Sequence, residues 1–391
     1  MSLSIKNIPS NWELKNLGDV CDFTQGTQIP FKEQISTLKD GYIRYLYIRD
    51  FFTDDFKCYV KNEYPNKIMK EDDIMMINTG NTAGGVYRGA FGVLCNNAFK
   101  INTNEDILLK DYLFIYLTSS IYKNVIRRYF NYGGQPHVGH KNVAKIPINI
   151  PPLKEQQKIA KILSTWDEAI ETTQSLIEKL QFRKKGLMQE LLSGKKRLAG
   201  FSEEWEILRG DELFASISNK KHDGKFEVLS ATQDKGVIPR SETGINIKYD
   251  KKSLGNYKKI EIGDFVISLR SFQGGIEYSN YEGLVSPAYT VLRENLPIAK
   301  RFYQEYMKTE NFINRLNSII YGIRDGKQIS YKEFGSLKFE YPPLSEQKAI
   351  SKIIDLSDIE ISEKKAYLLQ LKNQKKGLMQ QLLTGKKRVK L

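Results

Sequence analysis

Residues 151–198, PPLKEQQKIAKILSTWDEAIETTQSLIEKLQFRKKGLMQELLSGKKRL, return 191 positions later as residues 342–389, PPLSEQKAISKIIDLSDIEISEKKAYLLQLKNQKKGLMQQLLTGKKRV. The copies align without a gap and share about half their residues, so the chain is a tandem repeat before it is anything else. Around them lie two stretches of similar length and faint mutual similarity. Trp12-Glu13-Leu14 answers Trp205-Glu206-Ile207, Asp73-Ile-Met-Met76 answers Asp264-Phe-Val-Ile267, and Gly84-Gly85 answers Gly274-Gly275. The order is a variable unit at 1–150, a shared segment at 151–198, a variable unit at 199–341 and a shared segment at 342–391.

Each shared segment carries the marks of one long helix. Pro151-Pro152 and Pro342-Pro343 block helix upstream, Glu155 and Glu346 suit the positive N-terminal end, and Gly194 and Gly385 follow as stops beside Lys and Arg. Alternate steps of four and three from Ile159 reach Leu163, Trp166, Ile170, Thr173, Ile177, Leu180, Lys184, Leu187 and Leu191. The same steps in the second copy reach Ile350, Ile354, Ser357, Ile361, Lys364, Leu368, Leu371, Lys375, Leu378 and Leu382. This is a heptad seam with polar breaks. A single such stripe packs by default on its own domain. Two matched stripes predict that the helices, each about 60 Å long at 1.5 Å per residue, pair with each other antiparallel about a pseudo-twofold axis. Gly186 and Gly377 sit inside these helices, where Gly costs about 0.8–1 kcal/mol relative to Ala. Either the missing side chain admits another helix or a partner, or the glycine is merely tolerated. Lys184-Lys185, Lys375-Lys376, Lys195-Lys196-Arg197 and Lys386-Lys387-Arg388 read equally as phosphate contacts or as solvated helix surface.

The variable units mix short apolar runs, such as Ile74-Met-Met-Ile77, Gly92-Val-Leu94, Asp264-Phe-Val-Ile267 and Gly283-Leu-Val285, with Gly, Asn and Asp punctuation. A helical run follows in each, Tyr112 to Arg128 and Phe302 to Ile320, and then a Gly-rich polar loop. Each unit is therefore an α+β domain. Loops that interleave Gly, amide, aromatic and Arg side chains are candidates for reading base edges, because Arg bonds guanine and Asn or Gln bonds adenine in bidentate fashion. In the first unit they supply Asn78, Asn81, Thr82, Tyr87, Arg88, Arg127, Arg128, Tyr132, Gln135, His137 and His140. In the second they supply Arg270, Ser271, Phe272, Gln273, Arg324, Lys327, Gln328 and Tyr331. Turn geometry alone also favours Gly and Asn in exposed loops, so each residue by itself is weak evidence.

Sixty Lys and Arg against 46 Asp and Glu give the 391 residues a net charge of +14, which points to nucleic acid or to a plain basic surface. With 22 Tyr and 19 Phe the chain has ample material for folded cores. No window is apolar enough to span a membrane, and the start has no secretory stretch, so the expected location is the cytoplasm. Cys21, Cys58 and Cys95 are too scattered for a disulfide framework or a zinc site and are expected to be buried reduced thiols. Neither a phosphate-cradling G-x-x-x-x-G-K-[ST] nor a G-x-G-x-x-G is present. The Pro-Pro pairs lack the preceding Asn or Asp that an amino-methyltransferase needs, since Ile150 and Tyr341 stand there. His137 and His140 have no evident acidic partner for metal or base chemistry. The expectation is a recognition scaffold without a catalytic or metal site.

Pro-Pro-Leu-x-Glu-Gln at 151–156 and 342–347, Lys-Lys-Gly-Leu-Met-Gln at 184–189 and 375–380, and Leu-Leu-[Ser/Thr]-Gly-Lys-Lys-Arg at 191–197 and 382–388 give the chain its resemblance to the specificity subunits of type I restriction-modification systems. The resemblance covers the whole chain in organisation. It implies two globular mixed α/β target-recognition domains, joined by two long helices that pair as an antiparallel coiled coil. Each domain would read one half of a split asymmetric target in double-stranded DNA. The helices would set the spacing and hold two modification subunits, with restriction-translocase subunits where the system has them. S-adenosylmethionine, ATP and Mg would then belong to those partners, and this chain would bind no cofactor and catalyse nothing alone. On the helices the contacts would fall at Leu163, Trp166, Ile170, Ile177, Leu180, Gly186, Leu187, Leu191, Ile354, Ile361, Leu368, Leu371, Gly377, Leu378 and Leu382. Two rivals stay open on the sequence: a stand-alone DNA-binding regulator that dimerises through its helices, and an enzyme whose site follows no known motif.

Overall fold

The shared segments form continuous helices, Leu153–Leu191 and Leu344–Leu383, as their end signals and seam predict. The computed structural model describes residues 8–131, 135–244, 251–319 and 329–391, with backbone alone at 251–253 and 272. The chain divides into two units, Met1–Ser175 with Ala366–Leu391, and Leu176–Lys365. Each unit thus contains one variable domain, the N-terminal part of the helix that follows it and the C-terminal part of the other helix.

In the first unit, Glu13–Asn16 pairs antiparallel with Pro147–Ile150, which brings the two ends of the domain together directly before Pro151. A four-stranded antiparallel sheet runs in the order Cys21–Gln25, Ala98–Thr103, Ile74–Ile77, Val86–Tyr87. A second sheet runs Tyr59–Lys61, Tyr42–Leu46, Gly92–Leu94, Ile68–Met69, with its middle pair parallel. The run Ile74-Met-Met-Ile77 is buried at all four positions because its side chains alternate between two cores. Ile74 and Met76 join Phe99, Tyr112, Tyr116 and the long-helix residues Ile159, Leu163 and Leu382, while Met75 and Ile77 pack with Leu46, Met69 and Leu94.

The second unit repeats the frame. Glu206–Arg209 pairs with Lys338–Tyr341, and the main sheet runs Phe214–Ile217, Thr290–Glu294, Phe265–Ile267, Glu277–Tyr278. Phe265 and Ile267 face the core that holds Leu191, Ile350 and Ile354, while Val266 faces Leu229, Val237 and Val285. Two smaller pairs, Leu229–Thr232 with Gly236–Pro239 and Lys258–Ile260 with Gly283–Val285, stand where the first unit has its second sheet.

Two features depart from the sequence reading. Each expected helical run is broken in two, into Lys110–Thr118 and Ser120–Ile126 in the first unit, and into Lys300–Tyr306 and Glu310–Ser318 in the second. Ser119 and Thr309 take extended backbone at the breaks, and their hydroxyls accept from Tyr122 N at 3.2 Å and Phe312 N at 3.3 Å. A new N-cap outweighs the continuous apolar run. Cys58 is half-buried, whereas Cys21 and Cys95 are buried; all three are free.

The seam positions follow the alternate steps. Ile159, Leu163, Thr173, Ile177, Leu180 and Leu191 are buried, and Trp166, Ile170 and Leu187 are half-buried. Ile350, Ile354, Ser357, Ile361, Leu371 and Leu382 are buried in the second helix, with Leu368 and Leu378 half-buried. Within each unit the two helix portions run antiparallel. In the first, Lys375 pairs with Asp167 and Arg388 with Glu155; in the second, Lys184 pairs with Asp358 at 2.6 Å, Arg183 with Glu360 and Arg197 with Glu346. No helix among the described residues is long and apolar enough to cross a membrane.

Candidate nucleic-acid interface and its mounting

The loop that closes the hairpin between Ile74–Ile77 and Val86–Tyr87 carries Asn78, Asn81 and Thr82. Gly80, at φ +98°, takes a left-handed conformation that a side chain disfavours, and its N–H donates to Pro136 O at 2.9 Å. That bond stitches the hairpin loop to the segment containing Gln135 and His137. Val138 N donates to Asn78 O at 2.9 Å, Asn131 N donates to His137 O at 3.0 Å, and Thr79 Oγ1 lies 3.0 Å from His137 Nδ1. Two loops far apart in sequence thus form one surface, on which Asn81, Thr82 and Gln135 are exposed. Arg127 and Arg128 are exposed on the turn that leads into it.

Other residues singled out from the sequence are already committed. Asn78 is only 6% exposed, with its amide donating to Asn96 O and its carbonyl accepting from Thr79, so it shapes the loop rather than offering a free edge. Tyr87 packs its ring 4.8 Å from Phe52 and 6.1 Å from Phe51. Arg88 pairs with Asp111 at 2.6 Å and lies over the Phe114 ring. It lines a groove with Ala160, Ser164 and Asp167 of the first long helix, apart from the hairpin loop. His140 opens a short helix and stacks on Phe23, with its centroid 6.2 Å from that of Phe99.

In the second unit the corresponding turn is Ser271–Gly274, on which Arg270 and Gln273 are exposed. Ser271 is 2% exposed, and its hydroxyl accepts from Ser268 N at 2.8 Å and so caps the turn. Tyr331 is half-buried, and its hydroxyl donates to Phe214 O at 2.8 Å. Gln273 accepts from Gln233 Nε2 at 3.2 Å, so two amides share one exposed edge. Lys308 holds this edge from beneath, donating to Gly274 O at 2.9 Å and pairing with buried Glu277, whose carboxyl burial pushes up in pKa while Lys308 opposes. Tyr132, Arg324, Lys327, Gln328 and the Phe272 side chain lie outside the described residues. Sequence reasoning missed Thr79 and Gln233, which carry no motif and matter through partners 58 and 40 positions away.

Beneath these surfaces the shared motif acts as a mounting, built twice. Glu155, 1% exposed, accepts from Trp12 Nε1 at 3.0 Å and takes both Arg388 donors, Nε at 2.6 Å and a terminal nitrogen at 2.7 Å. Arg388 also lies 5.7 Å from the Trp12 ring centroid. Glu346, fully buried, accepts from Trp205 Nε1 at 2.8 Å and from Arg197 at 2.7 Å twice, with Arg197 5.3 Å from the Trp205 ring centroid. The Gln of the motif docks the domain helix. Gln156 Oε1 accepts from Leu109 N at 2.9 Å and its amide donates to Ile107 O and Pro151 O, while Gln347 Oε1 accepts from Ala299 N at 2.8 Å and its amide donates to Pro342 O. Leu109 and Ala299 are the N-caps of Lys110–Thr118 and Lys300–Tyr306, so each Gln satisfies a helix-start N–H.

These contacts correct the reading of the basic clusters. Arg197, Arg388, Lys184 and Lys375 are spent in ion pairs, although Arg388 stays partly exposed, and Lys185, Lys195, Lys196, Lys376, Lys386 and Lys387 are exposed, Lys196 3.8 Å from Glu190. Among the described residues, a Cβ at Gly186 or Gly377 would meet no atom within 4 Å, so neither glycine is there to admit a described helix of this chain.

Comparison with known proteins bears directly on this doubled frame. The type I restriction modification DNA specificity domain matches residues 9–181 and again 202–373. The specificity subunit of the type I restriction enzyme MjaVIII from Methanocaldococcus jannaschii is 28% identical over 416 residues, covering 98% of this chain and 94% of that protein. The putative MjaX specificity subunit of the same organism is 26% identical, over 99% and 96% of the two chains. Among solved structures, the S subunit of a type I restriction-modification system from M. genitalium superposes with a TM-score of 0.56 at 17% identity, covering 98% of both chains. The HsdS subunit from Thermoanaerobacter tengcongensis gives 0.54 at 18% identity, covering 98% of this chain and all of that one. Matched in both halves, this chain belongs to the family of type I restriction-modification DNA specificity subunits.

Proposed function

We propose that each unit reads one half of a split, asymmetric sequence in double-stranded DNA, and that the two long helices set the spacing between the halves. One observation carries this: the same frame and the same mounting are built twice, while the loops they hold up differ, Asn81-Thr82 with Gln135 in one and Arg270 with Gln233 and Gln273 in the other. Two different readers on a repeated frame suit a target with two different halves. The net charge of +14 supplies the sequence-independent attraction to phosphate on which base reading is superimposed.

The chain acts in this proposal without chemistry of its own. Two modification (methyltransferase) subunits dock on the helices and bring S-adenosylmethionine, and restriction-translocase subunits, where present, bring ATP and Mg. This places the complex with the DNA of the cytoplasm.

Single-molecule mapping of methylated bases, in cells that express this chain with and without its cognate modification subunit, tests the reading. A bipartite asymmetric motif is expected only when both are present. Arg270→Ala is expected to relax one base position in one half of that motif, by a factor of about 10 to 100 where the side chain makes a bidentate base contact. Absence of any motif, with specific binding by the purified chain alone, would overturn the proposal in favour of a stand-alone binder.

A further inference from the structure

The mounting joins parts of the chain that the sequence keeps far apart. The first recognition domain stands on the helix that begins at Leu153, but its joint is completed by Arg388, 233 positions after Glu155. The second domain's joint is completed by Arg197, which lies 149 positions before Glu346. In both, a buried carboxylate at the helix start receives one indole N–H and a two-pronged guanidinium. Three donors on one carboxylate fix three segments against each other: the domain entry at Trp12 or Trp205, the start of one helix, and the end of the other. A planar fork on a carboxylate resists rotation, which a single contact does not.

We propose that Arg388 and Arg197 are positioning residues for target recognition, holding each reading domain at one angle on its helices and so restricting the DNA to one spacer length. The inference rests on the split-target reading above. A domain free to rock on its joint keeps its base-reading loops intact, because Thr79, His137, Gln233 and Gln273 are held by other contacts within their domains. What it loses is discrimination between target halves set at the right spacing and halves displaced by one base pair. Trp12 and Trp205 belong to the same device, since each indole N–H holds the carboxylate from the domain side.

The test uses the complete complex with its modification subunits and a DNA library in which both half-sites are kept and the spacer varies one base pair at a time. The wild-type complex is expected to modify one spacer length. Arg388→Ala and Arg197→Ala are each expected to raise modification at lengths one base pair shorter or longer by about tenfold relative to the preferred length, with the half-site bases unchanged. Arg388→Lys, which keeps the charge but not the fork, is expected to fall between, and Trp12→Phe provides a milder variant should the alanine forms fail to assemble. A purely structural role predicts a uniform fall in yield or rate across all spacers. That result, or altered bases in either half, overturns the proposal. A wild-type complex without any bipartite motif would instead remove the split-target reading on which the inference stands.

Discussion

Glu155 is a charge that folding buries and must keep. Burial works to raise its carboxyl pKa, but the Arg388 fork and the Trp12 indole more than offset this, and the net shift is below the ordinary value of 4.5. A folded-state value below the unfolded one means that the folded domain binds the proton more weakly. The stability it contributes is complete above pH 4.5 and is lost as pH falls through the folded value. Removing Arg388 would leave the carboxylate buried without its counter-charge. Breaking a fully buried pair costs about 3–5 kcal/mol, and because Arg388 is 42% exposed the expected cost of Arg388→Ala at pH 7 is smaller, about 2 kcal/mol. Urea unfolding of wild type and variant should show that gap at pH 7 and a narrower one at pH 4, where protonation relieves the stranded charge. A gap that widens toward acid would show that the pair does not hold Glu155 ionised.

At the scale of the element, the long helices carry two glycines that their own packing does not use. Since a Cβ at Gly186 or Gly377 meets nothing within 4 Å among the described residues, Gly186→Ala and Gly377→Ala should each stabilise the isolated chain by about 0.8–1 kcal/mol, read as a rise in Tm. If a partner helix approaches there, the same variants should lower modification by the assembled complex; unchanged modification would show that the glycines are tolerated. The helices were also the most legible part of the sequence. Pro-Pro, the seam and the closing glycine act within a few turns, so local periodicity reports them, and the burial of all four residues from Ile74 to Ile77 is visible as an apolar run between turn residues. Ser119 and Thr309 were not legible as breaks because the apolar pattern continues on both sides of them. The joints were legible only as motifs: Glu155 could be quoted, but its partners lie 143 and 233 positions away, and no local pattern names them. Of the loops, the sequence supplied the segments, while the differing burial and bonding of Ser271, Gln273 and Tyr331 come from contacts that no local pattern shows.

For the whole molecule, the repeat places equivalent ion pairs at equivalent positions, Asp167 with Lys375 and Asp358 with Lys184, so the antiparallel register of the helices is specified twice by the same residue types. Register held in this way makes helix length a variable that can be changed without touching either reading domain. Four residues added to each helix at repeat-related points, after Thr173 and after Lys364, lengthen it by about 6 Å, against about 3.4 Å per base pair along DNA. The preferred spacer is therefore expected to grow by about one to two base pairs while both half-site sequences stay as they were, and methylation mapping reads both quantities at once. Changed half-sites would mean that base choice passes through the helices. An unchanged spacer in a fully assembled complex would mean that the partners, and not this chain, fix the distance.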